Sequence, residues 1–185
     1  MNQPITLVIA ATRAEAAHVP DRCRLVVTGL GKTAAAVATA RALAGVDARS
    51  TRVVNIGTAG ALRDGMTGLY LPGTVINHDI NAAAIRALGY DPQEELAVDG
   101  GDATVLASGD VFVADPVVRD GLARRAHLVD MEGYAVAYAC REFVVPVQLV
   151  KHVSDNADES AMSWPARVER SAVALGAWLD EHVPG

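Results

Sequence analysis

Acidic residues recur where predicted strands end, and carboxyl groups in such places can do acid–base chemistry or bind polar ligands. They are Glu15, Asp110, Asp130, Glu132, Asp155 and Asp158. A single acid in such a position can equally be a solvated carboxylate or a helix cap. Ligands of open α/β folds bind at the carboxyl ends of strands, so their shared location predicts a site that uses several carboxylates.

The elements that must position these acids alternate between strands and helices, which predicts an α/β fold. Short apolar, β-branched runs predict strands over residues 5–11, 25–28, 51–56, 73–77, 104–108, 127–130 and 147–153. Composition predicts helices over 32–44, 81–88, 116–123 and 133–143, and a last helix that begins at Ser163-Trp164-Pro165. The polar, turn-rich segment 90–101 predicts a mobile loop.

Length and composition indicate a compact protein with an aliphatic core. The chain has 185 residues, 51% of them hydrophobic, which predicts one domain over residues 1–185. Its formal net charge is −6 and it has no run of Lys or Arg, so we expect no nucleic-acid partner. No apolar run approaches the ~20 residues that cross a bilayer, and no signal sequence is evident. We therefore expect a cytoplasmic protein without a membrane partner.

A glycine-rich turn precedes the first predicted helix and resembles two nucleotide-binding loops. Gly29-Leu-Gly31-Lys-Thr-Ala34 matches GxGxxA, but the acid that a dinucleotide site needs at the end of the next strand is missing. A P-loop needs a glycine at position 26, which is Val26. We therefore expect neither NAD nor a nucleoside triphosphate, although amides at this helix start can meet a polar ligand.

Metal and serine-nucleophile chemistry find no support in the residue pattern. The five histidines are scattered, without an HExxH pair, and no GxSxG motif occurs. We expect no metal and no cofactor.

Short motifs in a fixed order resemble the nucleoside phosphorylase and nucleosidase superfamily, most closely the 5′-methylthioadenosine/S-adenosylhomocysteine nucleosidases. The motifs are Gly29-Leu-Gly31-Lys32, Asn55-Ile-Gly-Thr58-Ala-Gly-Ala-Leu62, Leu71-Pro-Gly-Thr-Val75, Ser108-Gly-Asp-Val-Phe112-Val113, Val129-Asp-Met-Glu132 and Lys151-His-Val-Ser154-Asp155-Asn-Ala-Asp158. The resemblance implies a three-layer α/β/α domain with a mixed central sheet. It also implies hydrolysis of the N-glycosidic bond of an adenine nucleoside such as 5′-methylthioadenosine or S-adenosylhomocysteine, with release of adenine.

The resemblance assigns the purine to four residues. Asp155 matches the acid that protonates the leaving purine near N7, and a carboxyl group that burial keeps protonated can do so. Ser154 would orient Asp155. Phe112 matches the ring that stacks on the base, and the backbone of Val113 would bond to the edge of the base.

The resemblance assigns the ribose and the nucleophile to four others. Glu132 matches the acid that binds ribose hydroxyls, with Met131 packed beneath the sugar. Glu15 would activate the attacking water, and Thr58 would lie near that water and the ribose.

Two positions depart from the family pattern. Lys151 stands where the family has Arg, so it supplies charge near the nucleophile without a bidentate fork. Trp164 lies within about one residue of the family's aromatic lid over the 5′ substituent. The chain is also shorter than the family pattern in two regions that help to form the 5′ pocket. One lies between the first strand and the glycine-rich turn at Gly29, and the other lies between the Tyr90 region and Ser108. The resemblance implies a homodimer.

Two other functions stay open at this point. One is a phosphate-dependent purine nucleoside phosphorylase, although related phosphorylases have Arg where this chain has Asn55; Arg13 would then be an unrecognised phosphate ligand. The other is a protein that binds a nucleoside without cleaving it. The 5′ substituent is also open among deoxyadenosine, adenosine, methylthioadenosine, adenosylhomocysteine and a futalosine-like nucleoside.

Overall fold

Strands and helices alternate along the chain in a computed structural model that describes residues 5–159, 161 and 164–183. The strands are β1 (Ile5–Ala10), β2 (Arg24–Val27), β3 (Thr51–Ala61), β4 (Leu69–Tyr70), β5 (Pro72–Asn77), β6 (Glu95–Ala97), β7 (Asp102–Ser108), β8 (Leu128–Asp130) and β9 (Val147–Asp155). The helices are α1 (Lys32–Leu43), α2 (Ala82–Ala87), α3 (Pro116–Ala123), α4 (Gly133–Glu142) and α5 (Trp164–His182).

These strands form one mixed sheet in which β3 is the centre. The order is β2-β1-β3-β8-β7-β5-β6, and β9 lies between β3 and β4. β3 runs parallel to β1 and β9, whereas its last two residues pair antiparallel with β8. Gly60 pairs with both Val129 of β8 and Asp155 of β9. The end of β3 therefore brings the ends of β8 and β9 together.

The two faces of the sheet are covered by different helices, because successive side chains of each buried strand point to opposite faces. Leu7 and Ile9 of β1 belong to the apolar cluster that includes residues of α1 and α4. Val8 and Ala10 belong to the cluster that includes Leu175 of α5. The arrangement is a three-layer α/β/α fold, which confirms the fold that the family resemblance implies.

The last helix shows the amphipathic pattern that its sequence predicts. The spacing of four apolar residues predicts that they share one face of α5, and all four are buried: Val168, Ala172, Leu175 and Leu179. The proposed cap, Ser163, lies outside the described residues. Across residues 5–159, 161 and 164–183, we find no helix with the length and hydropathy needed to span a bilayer.

Two local predictions are wrong. The strand expected over 51–56 continues through Gly57 to Ala61, because β9 and β8 continue to pair with it. The expected loop at 90–101 contains β6, which pairs with β5, and Leu96 and Val98 of this segment are buried in the core. Both errors have one physical reason: pairing with a distant strand overrides local turn composition.

Candidate active site

A single cleft gathers nine of the ten residues that the sequence analysis assigns to the site. These nine are Glu15, Thr58, Phe112, Val113, Met131, Glu132, Ser154, Asp155 and Trp164. They come from the loops after β1, β7 and β8, from within β3, from the end of β9 and from the start of α5. The tenth, Lys151, is buried close behind the cleft. The fold thus brings together residues that are up to 149 positions apart in the sequence.

Glu15 lies at one end of this cleft in a dense hydrogen-bond network. Its Oε1 accepts hydrogen bonds from the amide and the hydroxyl of Thr58, each at 2.8 Å. Its Oε2 accepts from the amide and the hydroxyl of Thr12, at 3.1 and 2.9 Å. The indole of Trp164 in turn donates to Thr58 Oγ1 at 2.8 Å. The carboxylate is therefore held in one orientation, and Trp164 is tied to the Glu15 end of the site.

Asp155, the last residue of β9, is the second acid of the cleft and is only 8% exposed. Its Oδ1 accepts a hydrogen bond from the Ala157 amide at 2.9 Å, and its Oδ2 accepts one from the Ser154 hydroxyl at 2.6 Å. Ala157 has a φ of 51°, a conformation that L residues seldom adopt. This local strain turns the Ala157 amide back onto Asp155 and fixes the plane of its carboxyl group.

Glu132 is the third acid, and it touches the glycine-rich turn that precedes α1. Its Oε1 accepts a hydrogen bond from the Gly31 amide at 2.8 Å. Burial, and then the neighbouring Asp130 carboxylate, raises the pKa of Glu132 to about 7, although the Gly31 amide and the Lys151 ammonium oppose the shift. Glu132 therefore changes its charge near neutral pH.

Lys151 does not face the cleft but neutralises a buried acid. Its Nζ lies 2.9 Å from Asp130 Oδ2 and donates to Asn55 Oδ1 at 2.8 Å. The side chains of Lys151 and Asp130 are each only 2% exposed. Asp130 also accepts hydrogen bonds from the Ser108 hydroxyl and the Gly133 amide. The lysine therefore belongs to a polar network beneath the three acids of the cleft.

Glycines of β3 leave room for these side chains. A Cβ atom at Gly57 would lie 3.3 Å from Lys151 Nζ and 3.4 Å from Glu15 Oε1. At Gly60 it would lie 3.0 Å from Asp155 Oδ1 and 2.9 Å from the Ala157 Cβ. These two glycines therefore allow close approach of the functional groups within a continuous strand.

The apolar part of the cleft comes chiefly from the loop after β7 and from the end of β8. Phe112 is 50% exposed although it lines a concave site, whereas its neighbour Val113 is buried. Met131 lines the cleft between the acids Asp130 and Glu132. An exposed aromatic ring in the same cleft as buried carboxyl groups suits a flat ligand with polar edges.

Sequence reasoning missed three residues of the buried network, namely Asp130 as an ion-pair partner, Asn55 as a hydrogen-bond partner of Lys151, and Ser108. The available signal was that each lies within a quoted motif and next to an assigned residue or strand end. In the part of the chain that is described, no cluster of three or more His, Cys, Asp or Glu residues is arranged to hold a metal ion.

We expect Glu132 to lower the stability of the protein as the pH rises. Its pKa is about 7 in the folded protein against an ordinary value of 4.5, so the folded state binds this proton more tightly. The contribution of protonated Glu132 to the free energy of unfolding is therefore fully present below pH 4.5 and is lost as the pH rises through 7. At about 1.4 kcal/mol for each unit of pKa shift, the loss is about 3 kcal/mol.

Urea unfolding of the wild type and Glu132→Gln between pH 4.5 and 8 measures this loss. The variant should lack the decline that the wild type shows, whereas Glu142→Gln, at an exposed position of the same helix α4, should keep it. Parallel profiles for the wild type and Glu132→Gln would contradict the expectation.

The sequence of this chain is similar to those of known proteins. The sequence profile of the Phosphorylase superfamily matches residues 93–182. The chain is 30% identical over 131 residues to the aminodeoxyfutalosine nucleosidase of Helicobacter pylori strain 26695, a match that covers 59% of this chain and 57% of that protein. It is 29% identical over 167 residues to the 5′-methylthioadenosine/S-adenosylhomocysteine nucleosidase of Shewanella frigidimarina, covering 72% of this chain and 68% of that protein.

Solved structures show the same architecture. The Helicobacter pylori 5′-methylthioadenosine/S-adenosylhomocysteine nucleosidase, crystallised with a pyrrolidine compound, superposes with a TM-score of 0.82 over 98% of both chains at 24% identity. The α/β/α fold of this chain is thus that of the solved 5′-methylthioadenosine/S-adenosylhomocysteine nucleosidase. The profile match, the two relatives and the shared fold together confirm the resemblance found in the motifs.

Proposed function

We propose that this protein is a purine nucleoside N-ribosyl hydrolase that cleaves an adenine nucleoside, such as 5′-methylthioadenosine or S-adenosylhomocysteine, and releases adenine. The observation that carries the proposal is the convergence of Glu15, Glu132 and Asp155 on one cleft beside the exposed ring of Phe112. Two relatives at 29–30% identity are named as nucleosidases, one of aminodeoxyfutalosine and one of 5′-methylthioadenosine and S-adenosylhomocysteine. The matched segments cover 57–68% of these two relatives, so the activity is proposed for this chain rather than transferred to it.

The hydrogen bonds of Asp155 suit a proton donor to the leaving base. Cleavage moves electrons from the glycosidic bond into the purine, which leaves more readily when its ring nitrogen is protonated. Because Oδ1 accepts from the Ala157 amide, the proton of a neutral Asp155 resides on Oδ2, beside the Ser154 hydroxyl. We propose that Oδ2 donates this proton to the purine while Phe112 stacks on the base.

Glu15 and Glu132 suit the sugar side of the reaction. In its ionised form, the firmly held Glu15 can take a proton from a water molecule that attacks the sugar. Glu132 uses Oε1 for the Gly31 amide, which leaves Oε2 for the ribose hydroxyls, with Met131 against the sugar. Trp164, tied to Thr58, would close the site beside the 5′ substituent.

Water rather than phosphate is the nucleophile that the charges of the cleft favour. Among the described residues, no arginine or lysine lines the cleft. Lys151 is the nearest buried cation, and its charge is already paired with Asp130. A phosphate ion needs several cationic or amide donors, and here it would meet the carboxyl groups of Glu15, Glu132 and Asp155 instead.

Adenine release measures the proposed activity directly. The purified protein is incubated with 5′-methylthioadenosine, S-adenosylhomocysteine, adenosine, deoxyadenosine and aminodeoxyfutalosine, each with and without inorganic phosphate. The proposal expects equal adenine release with and without phosphate. Release that requires phosphate and yields a sugar 1-phosphate would identify a phosphorylase, and saturable binding without turnover would identify a nucleoside-binding protein.

We also propose that the protein forms a homodimer in the cytoplasm. Three apolar side chains at the rim of the cleft are exposed, Leu30 by 64%, Val111 by 54% and Phe112 by 50%, and a second copy would cover them. Both cysteines are free and buried, as suits a reducing compartment. The net charge of −6 argues against a nucleic-acid partner.

Light scattering coupled to size-exclusion chromatography should give twice the chain mass at micromolar concentration. Leu30→Glu should shift the protein toward the monomer, because it places charge in the proposed contact. Val173→Glu changes an exposed apolar residue of α5, 51% exposed, and is the matched control. A wild-type protein that elutes with the mass of one chain would refute the dimer.

A further inference from the structure

The glycine-rich turn before α1 binds two carboxylates through successive amides. The Gly31 amide donates to Glu132 at 2.8 Å, and the Lys32 amide donates to Asp110 Oδ1 at 2.7 Å. Gly31 has a φ of 88°, and a Cβ atom there would lie 2.9 Å from Asp110 Oδ1. The positive φ of Gly31 therefore suits a turn whose two successive amides each bind a carboxylate. Both carboxylates are side chains of this protein and not groups of a nucleotide.

The side chain of Lys32 closes a ring of hydrogen bonds with the same region. Its Nζ donates to Asn77 Oδ1 at 2.7 Å and to Asp79 Oδ1, with which it forms an ion pair. The other oxygen of Asp79 accepts from the Asp110 amide at 2.8 Å. Lys32, Asp79 and Asp110 thus form a closed ring that joins the start of α1, the loop after β5 and the loop after β7.

The ion pair of this ring is largely shielded from solvent, which strengthens the interaction between its charges. The side chains of Lys32 and Asp79 are 19% and 23% exposed. Burial by itself would raise the pKa of Asp79, but the hydrogen bonds from Lys32 and the Asp110 amide outweigh it, and the pKa is lowered. The ion pair therefore persists at neutral pH, and hydrogen bonds to charged groups are stronger than neutral ones.

Asp110 stands two residues before Phe112 and three before Val113, the residues proposed to contact the purine. The hydrogen bonds of the ring reach Asp110 through both its amide and its carboxylate. The loop after β7 is therefore held from the side of α1 as well as by its own strand. A loop held in this way presents Phe112 and Val113 in one arrangement before the ligand arrives.

We propose that Lys32 is a positioning residue that fixes the loop carrying Phe112 and Val113 for binding of the adenine base. The proposal rests on the proposed function for its kinetic consequence. Lys32 does not line the cleft, so its loss should weaken binding and leave the rate of the chemical step nearly unchanged. The glycine-rich turn would then serve to hold neighbouring loops in place and not to bind the phosphate of a nucleotide.

Steady-state kinetics of Lys32→Met, Asp79→Asn and the double variant tests the proposal. Each single variant should raise the KM for 5′-methylthioadenosine about tenfold and change kcat less than about threefold, since a charge-assisted hydrogen bond that orders a binding loop is lost. The double variant should resemble the single ones, because both break one ring. Lys32→Arg should recover part of the affinity, and Arg41→Met, at an exposed position of α1, should behave as the wild type.

Hydrogen exchange measures the local opening of the loop after β7 and does not depend on catalytic activity. The amides of residues 109–113 should exchange about tenfold faster or more in Lys32→Met than in the wild type or Arg41→Met, since local opening sets the exchange rate. A wild-type protein that releases no adenine would contradict the proposed function, and the exchange rates would still decide the role of Lys32. The proposal would be overturned if Lys32→Met left both the exchange rates of residues 109–113 and the KM unchanged. It would also be overturned if the variant lowered kcat alone.

Discussion

Asp155→Asn should reduce adenine release by about a hundredfold or more, the range typical of losing a general acid. The asparagine side chain has nearly the same shape, so its carbonyl oxygen can still accept from the Ala157 amide at the Oδ1 position. Its amide group stands where Oδ2 stood, beside Ser154, and has no acidic proton to give. The loss should therefore appear in kcat, with KM changed only slightly.

The control for this variant is Ser154→Ala. It removes the hydroxyl that contacts Oδ2 and leaves the acid in place, so its effect on kcat should be much smaller. Thermal unfolding of both variants should stay near that of the wild type. Turnover of Asp155→Asn at a rate near that of the wild type, in a folded protein, would remove Asp155 as the proton donor.

Lys151→Met should destabilise the protein by about 3 to 5 kcal/mol, the usual cost of removing one partner of a buried ion pair. The ammonium group is enclosed with Asp130 and Asn55, and methionine leaves the carboxylate of Asp130 buried without its cation. Glu132 and Glu15 lie close by, so the uncompensated negative charge adds to theirs. Such a loss is a large part of the total stability of a domain of this size.

Denaturant unfolding of Lys151→Met, Asp130→Asn and the double variant measures the pair. The double variant should be less destabilised than the sum of the single ones, because no unpaired charge is left. Conversely, destabilisations that add would show that the two side chains act independently. Lys151→Met that unfolds at the wild-type denaturant concentration would show that the buried pair contributes nothing to stability.

The outline of the fold was predictable because local patterns determine it. Short β-branched runs predict β1, β7 and β9 within one or two residues of their ends, and the apolar stripe of α5 is buried as its spacing predicts. The acids of the site were predictable for a related reason, since strand ends and motif order are both visible in a linear chain. This is why Glu15, Glu132 and Asp155 could be assigned before any coordinates.

Long-range pairing was beyond such patterns. Gly57 and Gly60 predict a turn by composition, yet β9 and β8 hold them in an extended strand beneath the functional side chains. The partner of Lys151 could not be read either, because Asp130 comes from another strand of the sheet. In the same way, Asp79 and Asp110 meet Lys32 only after three separate loops converge.

The sequence by itself determined the α/β pattern, the resemblance to the nucleoside phosphorylase and nucleosidase superfamily and the acids of the candidate site, because composition, spacing and motif order are local properties of the chain. Only the tertiary structure decided which groups neutralise or hold those acids: the Thr58 and Ala157 amides, the Gly31 turn and the buried ammonium of Lys151. The reason is electrostatic. The charge and orientation of a buried carboxyl group depend on donors within a few ångströms, and the folded chain brings these from any distance along the sequence.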